Sequence, residues 1–163
     1  MNEENNNQYT KHQKIAMQLF EESGYNDAQA ILVAFMDETK LDLDTSLKMG
    51  LPLGAGMGRM REVCGALTGI FIVAGIKYAS VDVKDKEAKD NHYTLIQNLA
   101  GKFKEKEGSI ICRDLLKLST AGASNPVSDA RTAEYYAQRP CTRLVGLAAK
   151  ILDEYIEEQE KKD

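Results

Sequence analysis

Several features that define common protein classes are missing from this chain of 163 residues. Its longest apolar run, residues 64–76, falls short of the roughly 20 residues that a transmembrane helix requires. Its N-terminus is polar and acidic, without the basic and apolar stretches of a secretory signal. Its net charge of −4 gives no electrostatic support for binding nucleic acid or an anionic membrane. We therefore predict a cytoplasmic protein whose partners include neither a membrane nor a nucleic acid.

Common catalytic and redox motifs are missing as well. The chain contains neither G-x-S-x-G nor H-E-x-x-H, and its two histidines, His12 and His92, are widely separated. We expect both histidines to be exposed or partly packed. Cysteine occurs three times, an odd number that argues against a closed disulfide framework. No C-x-x-C pair indicates a zinc or thioredoxin-like site.

Apolar residues recur at helical spacing along almost the whole chain, and no segment shows the two-residue alternation of a strand. The sequence predicts an all-α fold, a compact multi-helix bundle forming a single domain over residues 1–163, with frayed tails at 1–8 and 158–163. We expect helices at about 8–22, from Asn26 onward, from Asp42 or Asp44 to residue 49, through 67–78, at 86–107, around Cys112, from Ser128 or Asp129 to Tyr135, and from Pro140 onward, with a loop at 119–126. The pattern places Ile15, Leu19, Phe20 and Tyr93 among the buried side chains.

Local signals mark where two of these helices begin or end. Asn26 is followed three residues later by Gln29, which matches a capping box at a helix start. Gly108 follows a long periodic segment, where a glycine commonly ends a helix.

The three cysteines, Cys64, Cys112 and Cys141, each lie near the start of a predicted helix with an arginine close by in sequence. The unpaired N–H groups and the dipole of a helix N-terminus favour a thiolate, and so does a nearby arginine. We therefore predict lowered pKa values for these thiols. Cysteine is also often buried as a small apolar side chain, and that alternative stays open for each of the three.

Glycine is concentrated between two of the predicted helices, at Gly50, Gly54, Gly56 and Gly58. Such a density is typical of an irregular loop. Its N–H groups could form a nest for an anion, but the segment matches neither the dinucleotide fingerprint nor the Walker loop. We favour a tight loop that lets helices or a cofactor approach closely.

Four segments together resemble one protein family. The segments GAGMGRMREVCGALTG (54–69), GYNDAQAILVAF (24–35), GSIICRDLL (108–116) and RPCTRLVGLAAKIL (139–152) are similar to the sequence blocks of the C-GCAxxG-C-C family of redox-active proteins. The resemblance implies an all-helical fold, redox activity carried by the cysteines, and an electron-transfer partner. It also implies an iron–sulfur cluster or another metal bound by Cys64, Cys112 and Cys141, with Gly54, Gly56, Gly58 and Gly65 around the cofactor.

The chain departs from the family pattern at one position. The first block of the family carries a cysteine after Tyr-Asn, and this chain has Asp27 there. Four thiolates are the usual set for an iron–sulfur cluster or a structural zinc ion. Either Asp27 supplies a fourth, oxygen ligand beside the three cysteines, or the site has been lost and no cofactor binds. We favour the first interpretation.

Two functions of other kinds fit the same sequence. A thiol–disulfide protein without metal would cycle two cysteines, with Cys112 and Cys141 as the first candidates. A non-catalytic helical homodimer would use Gly65 and Gly69, a G-x-x-x-G pair, as its contact face, although this motif is weak outside membranes.

Overall fold

The computed structural model describes residues 8–118 and 125–163, and within these ranges the protein is all-α, as predicted. The helices are α1 (Lys11–Glu22), α2 (Asp27–Ala34), α3 (Met36–Thr39), α4 (Leu43–Gly50), α5 (Gly54–Met57), α6 (Gly65–Tyr78), α7 (Lys86–Glu107), α8 (Cys112–Leu115), α9 (Ala133–Gln138) and α10 (Cys141–Glu160). A 3-10 turn at Leu51–Leu53 joins α4 to α5. Most of the predicted loop at 119–126, and most of the predicted tail at 1–8, lie outside the described residues.

Side-chain caps explain where several helices begin. The Asn26 side chain accepts a hydrogen bond from the Gln29 N–H at 2.8 Å, and the Gln29 side chain accepts one from the Asn26 N–H at 3.0 Å. This pair is the predicted capping box of α2. Asp42, one of the two predicted caps of α4, accepts a hydrogen bond from the N–H of Thr45, and Gly108 ends α7 with a φ of 83°, as predicted.

The short helix α9 begins later than the sequence predicted. The predicted start at Ser128 or Asp129 is wrong, because both residues lie in non-helical chain. The cap is Thr132, whose side chain accepts a hydrogen bond from the N–H of Tyr135. Serine, aspartate and threonine are all common caps, so composition alone did not select the position.

The core lies between α2, α6 and α10. Helix α2 packs against α1, α4 and α6, and α10 packs against α1, α6 and α7. Helix α6 is apolar on nearly every side, as expected for a helix in the middle of a fold. No helix within the described ranges is both long and apolar enough to span a membrane. The largest fully buried side chains include Ile31, Leu32, Phe35, Leu67, Ile70, Leu99, Phe103 and Leu152.

Helix α1 buries Phe20, as predicted, but the rest of its buried row differs from the predicted one. The buried residues are His12, Ala16 and Phe20, which follow one another every four positions. Ile15 is displaced to the edge of this row and is 36% exposed, and Tyr93 on α7 is 60% exposed, so both predictions of burial are wrong. The expectation that His12 is exposed or partly packed is wrong as well, because the residue is only 4% exposed.

The two glycines of the G-x-x-x-G pair are already covered by α2 of the same chain. A Cβ at Gly69 would lie 3.0 Å from the side chain of Ile31, and one at Gly65 would lie 2.3 Å from Asp27. These glycines therefore let α2 and α6 approach closely. They offer no free face to a second copy, and a homodimer remains only a prediction.

Candidate functional site

All three cysteines lie at helix starts, as predicted. Cys64 is the N-cap residue of α6, while Cys112 and Cys141 are the first residues of α8 and α10. Each thiol therefore lies at the N-terminal end of a helix, which for Cys112 is only four residues long.

A short backbone pairing holds Cys64 and Cys112 together. The N–H of Cys64 donates to the carbonyl of Ile110 at 2.9 Å, and the N–H of Cys112 donates to the carbonyl of Glu62 at 2.6 Å. Between these bonds, Val63 and Ile111 form an isolated antiparallel bridge. Two segments far apart in sequence thus deliver one cysteine each to the same place.

Asp27 is the first residue of α2, and its carboxyl group is surrounded by protein atoms although the residue as a whole is only partly buried. Its Oδ1 atom accepts hydrogen bonds from the N–H groups of Ala28, at 3.0 Å, and Ala55, at 3.3 Å. The absence of a side chain at Gly65 makes room for this carboxyl group. The glycine-rich segment at residues 50–58, through Ala55, and α6, through Gly65, therefore fix the position of Asp27.

The four predicted ligand residues, Asp27, Cys64, Cys112 and Cys141, line the same small cavity. Its volume of about 10 Å³ is close to that of a single water-sized sphere. The rest of the wall is apolar and consists of Ala66, Leu115, Leu116, Leu144 and Val145. The three thiols and the carboxyl group are therefore the main polar side-chain groups that the cavity offers to a ligand.

The thiol pKa values shift in the opposite direction to the prediction. Burial, reinforced by the nearby Asp27, raises the pKa of Cys64 well above its ordinary value. Burial, Asp27 and Cys112 together raise the pKa of Cys141 to about 12. Burial also raises the pKa of Cys112, against the hydrogen bond from Arg61, and the pKa of Asp27, against its backbone hydrogen bonds. Helix ends and arginines both favour a thiolate, but the loss of water around these groups outweighs both.

Arg61 is the cation in closest contact with a thiol. Its Nη1 atom donates to Sγ of Cys112 at 3.8 Å, and the residue is only 4% exposed. A hydrogen bond of this kind stabilises the thiolate form of Cys112 relative to the thiol.

The glycine-rich segment that contains α5 is shaped by several residues in the left-handed region, so α5 is an irregular turn and not a regular right-handed helix. Ala55, Gly56, Met57, Gly58 and Arg59 all have positive φ angles. At Gly56, with a φ of 72°, a Cβ would lie 2.7 Å from Cβ of Cys112. At Gly54 a Cβ would lie 2.2 Å from the side chain of Asn26.

These two glycines therefore make room for side chains of the same chain. Gly58 has open space around it, with nothing closer to a Cβ than 3.9 Å. Contact between Gly54, Gly56, Gly58 or Gly65 and a cofactor remains a prediction.

The chemistry and the spacing of the four donors decide which metal would fit. Three thiols with one carboxylate suit zinc or iron. Within the described ranges, no three of these donor atoms lie within 4.8 Å of one another, so the side chains would have to turn inward to share an ion. A cavity of about 10 Å³ has room for one ion but not for several irons with their sulfides. The residues therefore fit a single thiophilic ion better than an iron–sulfur cluster.

A second polar cluster, around His12, was not predicted from the sequence. His12 is stacked on Phe35, its Nδ1 atom contacts Asp153, and its Nε2 atom contacts Asp37 at 2.8 Å. The donor atoms of His12, Asp37 and Glu38 lie within 4.8 Å of one another. Lysines already pair with both of the latter carboxylates, Lys11 with Asp37 and Lys77 with Glu38. We interpret the cluster as an ion-pair network that ties α1 to α3 and α10.

The comparison with protein families decides the relationship. The sequence model of the family described as "Putative redox-active protein (C_GCAxxG_C_C)" matches residues 25–155, which is most of the chain and includes Asp27 and all three cysteines. The chain belongs to this family. Searches of the curated proteins and of the solved structures gave no match. For this C-GCAxxG-C-C protein, the family description therefore gives redox activity as the class of function.

Proposed function

We propose that this C-GCAxxG-C-C protein binds a thiophilic metal ion through Cys64, Cys112, Cys141 and Asp27, and that the bound site is redox-active. One observation carries the proposal, namely that these four side chains line the same cavity although they come from four separate parts of the chain. Three thiols and a carboxyl group around one small apolar space are an unusual set for a core. Thiolates and carboxylates are both metal ligands, and three cysteines with one further ligand form a usual arrangement for zinc.

The electrostatics of the cavity support the same function. Beyond the larger effect of burial, Asp27 raises the pKa of Cys64 and of Cys141, because each acidic group opposes the ionisation of its neighbours in a space with little water. A cation in the cavity would reverse this effect by stabilising every anionic donor at once. Binding would therefore release protons, and the affinity for metal should fall as the pH falls.

The surrounding residues would control the bound site. The apolar wall, which includes Leu115 and Leu144, excludes water, and the hydrogen bond from Arg61 to Cys112 would tune the thiolate. A redox-active ion such as iron would supply one-electron chemistry. An electron-transfer partner would approach from the side of Cys141, the least buried of the three cysteines. We also propose a cytoplasmic location, where thiols stay reduced.

The other cofactor and redox assignments have less support. An iron–sulfur cluster remains a prediction, and it would require a wider cavity than the one these residues enclose. A thiol–disulfide cycle between Cys112 and Cys141 needs a reactive thiolate, whereas burial raises the pKa of both thiols.

The test is to measure bound metal and acid-labile sulfide per chain on protein purified without oxygen. The wild type is compared with Cys141→Ser, Asp27→Ala and Asp27→Cys. Asp44→Ala, at an exposed position in the first turn of α4, is the matched control. Zinc and iron are each added to the metal-free protein, and electrochemistry shows whether the iron-loaded form is reduced reversibly.

We expect about one metal ion per chain without sulfide, weaker binding in Cys141→Ser and Asp27→Ala, and tighter binding in Asp27→Cys. The control should bind like the wild type. If the protein instead contains iron with an equal amount of sulfide, its cofactor is an iron–sulfur cluster and not a single ion. A protein that takes up neither zinc nor iron, or whose uptake ignores all three cavity variants, would contradict the proposal.

A further inference from the structure

A larger, open cleft lies directly beside the thiol cavity. Its volume is about 560 Å³, within the range of small-molecule binding sites. Asp27, Cys112 and Cys141 line both spaces. A molecule bound in the larger cleft would therefore touch the wall that contains two of the thiols.

The cleft is strongly positive on a protein that is negative overall. Four arginines line it, Arg59, Arg61, Arg131 and Arg139, and we call this space the arginine cleft. Besides the buried carboxyl group of Asp27, the acidic residue of its wall is Asp129. Since the net charge of the chain is −4, this local excess of positive charge is a property of the cleft and not of the composition. Such a concave positive surface concentrates small anions.

Two of the arginines converge on one oxygen atom. Oδ2 of Asp129 accepts hydrogen bonds from Nη1 of Arg59 at 2.9 Å and from Nη2 of Arg139 at 3.0 Å. Charge-assisted bonds of this kind are the ones with which arginine binds carboxylates and phosphates. The two guanidinium groups are thus already arranged around an anionic group.

The carboxylate of Asp129 is well placed to be displaced. Its side chain is 42% exposed, and it lies in non-helical chain before α9. The arginines are less exposed, 16% for Arg59 and 26% for Arg139, and each has a further contact that holds it. Arg59 donates to the carbonyl of Asn125, and Arg139 stacks on the ring of Tyr135. The cationic side of the pair is therefore fixed, and the anionic side is accessible.

We propose that the arginine cleft binds a small organic anion through Arg59 and Arg139, in competition with Asp129, and holds it against Cys112 and Cys141. The ligand carries at least one carboxylate or phosphate group. Its role as a redox substrate rests on the proposed function of the thiol site. Its binding does not, because the arginines that bind it are not metal ligands.

The experiment is a calorimetric titration of the metal-free full chain with citrate and, separately, with pyrophosphate at low ionic strength. The two probes distinguish a carboxylate ligand from a phosphate ligand. The variants are Arg139→Gln, which removes one donor, and Asp129→Asn, which removes the internal competitor. The control is Arg143→Gln, because Arg143 pairs with Glu107 and does not line the cleft.

We expect at least one probe to bind, the affinity to fall about tenfold or more in Arg139→Gln, and the affinity to rise in Asp129→Asn. Arg143→Gln should bind like the wild type. Three results would overturn the inference. Neither probe binds, the Asp129→Asn variant binds more weakly than the wild type, or Arg143→Gln weakens binding as much as Arg139→Gln does. Because metal uptake is measured separately, either result leaves the metal proposal to its own test.

Discussion

The contact between Asp27 and Gly65 gives the most direct prediction about the site. A Cβ built at Gly65 would lie 2.3 Å from Oδ1 of Asp27, whereas ordinary contact begins at 3.4 Å. The substitution Gly65→Ala therefore cannot be accommodated unless the carboxyl group or helix α6 moves.

The two ways of relieving this contact differ in cost, and the cheaper one sets the loss of stability. If the carboxyl group stays, α6 must shift within a packed core, and overpacking of this kind costs about 1–3 kcal/mol. If the carboxyl group turns away, it loses the hydrogen bonds from the N–H groups of Ala28 and Ala55. Hydrogen bonds to a charged group contribute about 1.5–3 kcal/mol each. We expect Gly65→Ala to lower the free energy of unfolding by about 1–3 kcal/mol.

The assay is urea unfolding followed by circular dichroism, with a double-mutant cycle that uses Asp27→Ala. In the Asp27→Ala background the obstructing oxygen is gone, so the loss caused by Gly65→Ala should nearly disappear. Gly101→Ala is the control, because Gly101 lies within α7 and a Cβ added there would meet nothing within 4 Å. That substitution should raise stability by about 0.5–1 kcal/mol through helix propensity.

Two results would refute the reasoning. One is a Gly65→Ala protein as stable as the wild type. The other is a loss that is equally large with and without Asp27, which would show that the oxygen of Asp27 is not what limits the space.

Three further predictions concern other parts of the fold. Asp153→Asn should lower stability by about 1–3 kcal/mol near pH 5.5 and by less near pH 8.5. Burial alone would lower the pKa of His12, but its contacts with Asp153 and Asp37 more than offset burial and raise the pKa. The pairing therefore stabilises the fold below the unfolded pKa of about 6.5, and this stabilisation is lost as the pH rises through the folded value. Equal losses in urea unfolding at both pH values would contradict this. In the metal-free protein, the three buried or half-buried thiols should react with Ellman's reagent roughly tenfold or more slowly than in urea, with Cys141 first, and rapid reaction of all three in the native state would count against their burial. Asn26→Ala should cost about 1–2 kcal/mol, because the side chain caps α2 and also donates to the carbonyl of Leu51, and thermal unfolding will measure the loss.

Signals that act within a few residues predicted much of the secondary structure. The capping box at Asn26, the cap at Asp42 and the stop at Gly108 all depend on hydrogen bonds between neighbours in sequence, so the sequence contains the whole signal. The helix-start positions of the three cysteines followed from the same kind of reasoning.

Properties that depend on distant residues could not be predicted in this way. The buried environment of His12 depends on Asp37 and Asp153, which approach it only after α1, α3 and α10 have packed. The thiol pKa values depend on how much water the folded chain removes, which helix ends and neighbouring arginines do not reveal. The grouping of Asp27 with the cysteines came from resemblance to a family, because no local spacing connects residue 27 to residue 141.

The order in which the cavity residues occur along the chain has a consequence for the protein during synthesis. Asp27 enters early, Cys64 and Cys112 are joined later by their backbone pairing, and Cys141 arrives with α10, which must dock on α1 and α6. Without α10 the cavity would lack Cys141, Leu144 and Val145 from its wall. If the proposed metal ion binds through all four residues, it can therefore bind only after the ribosome has released that helix.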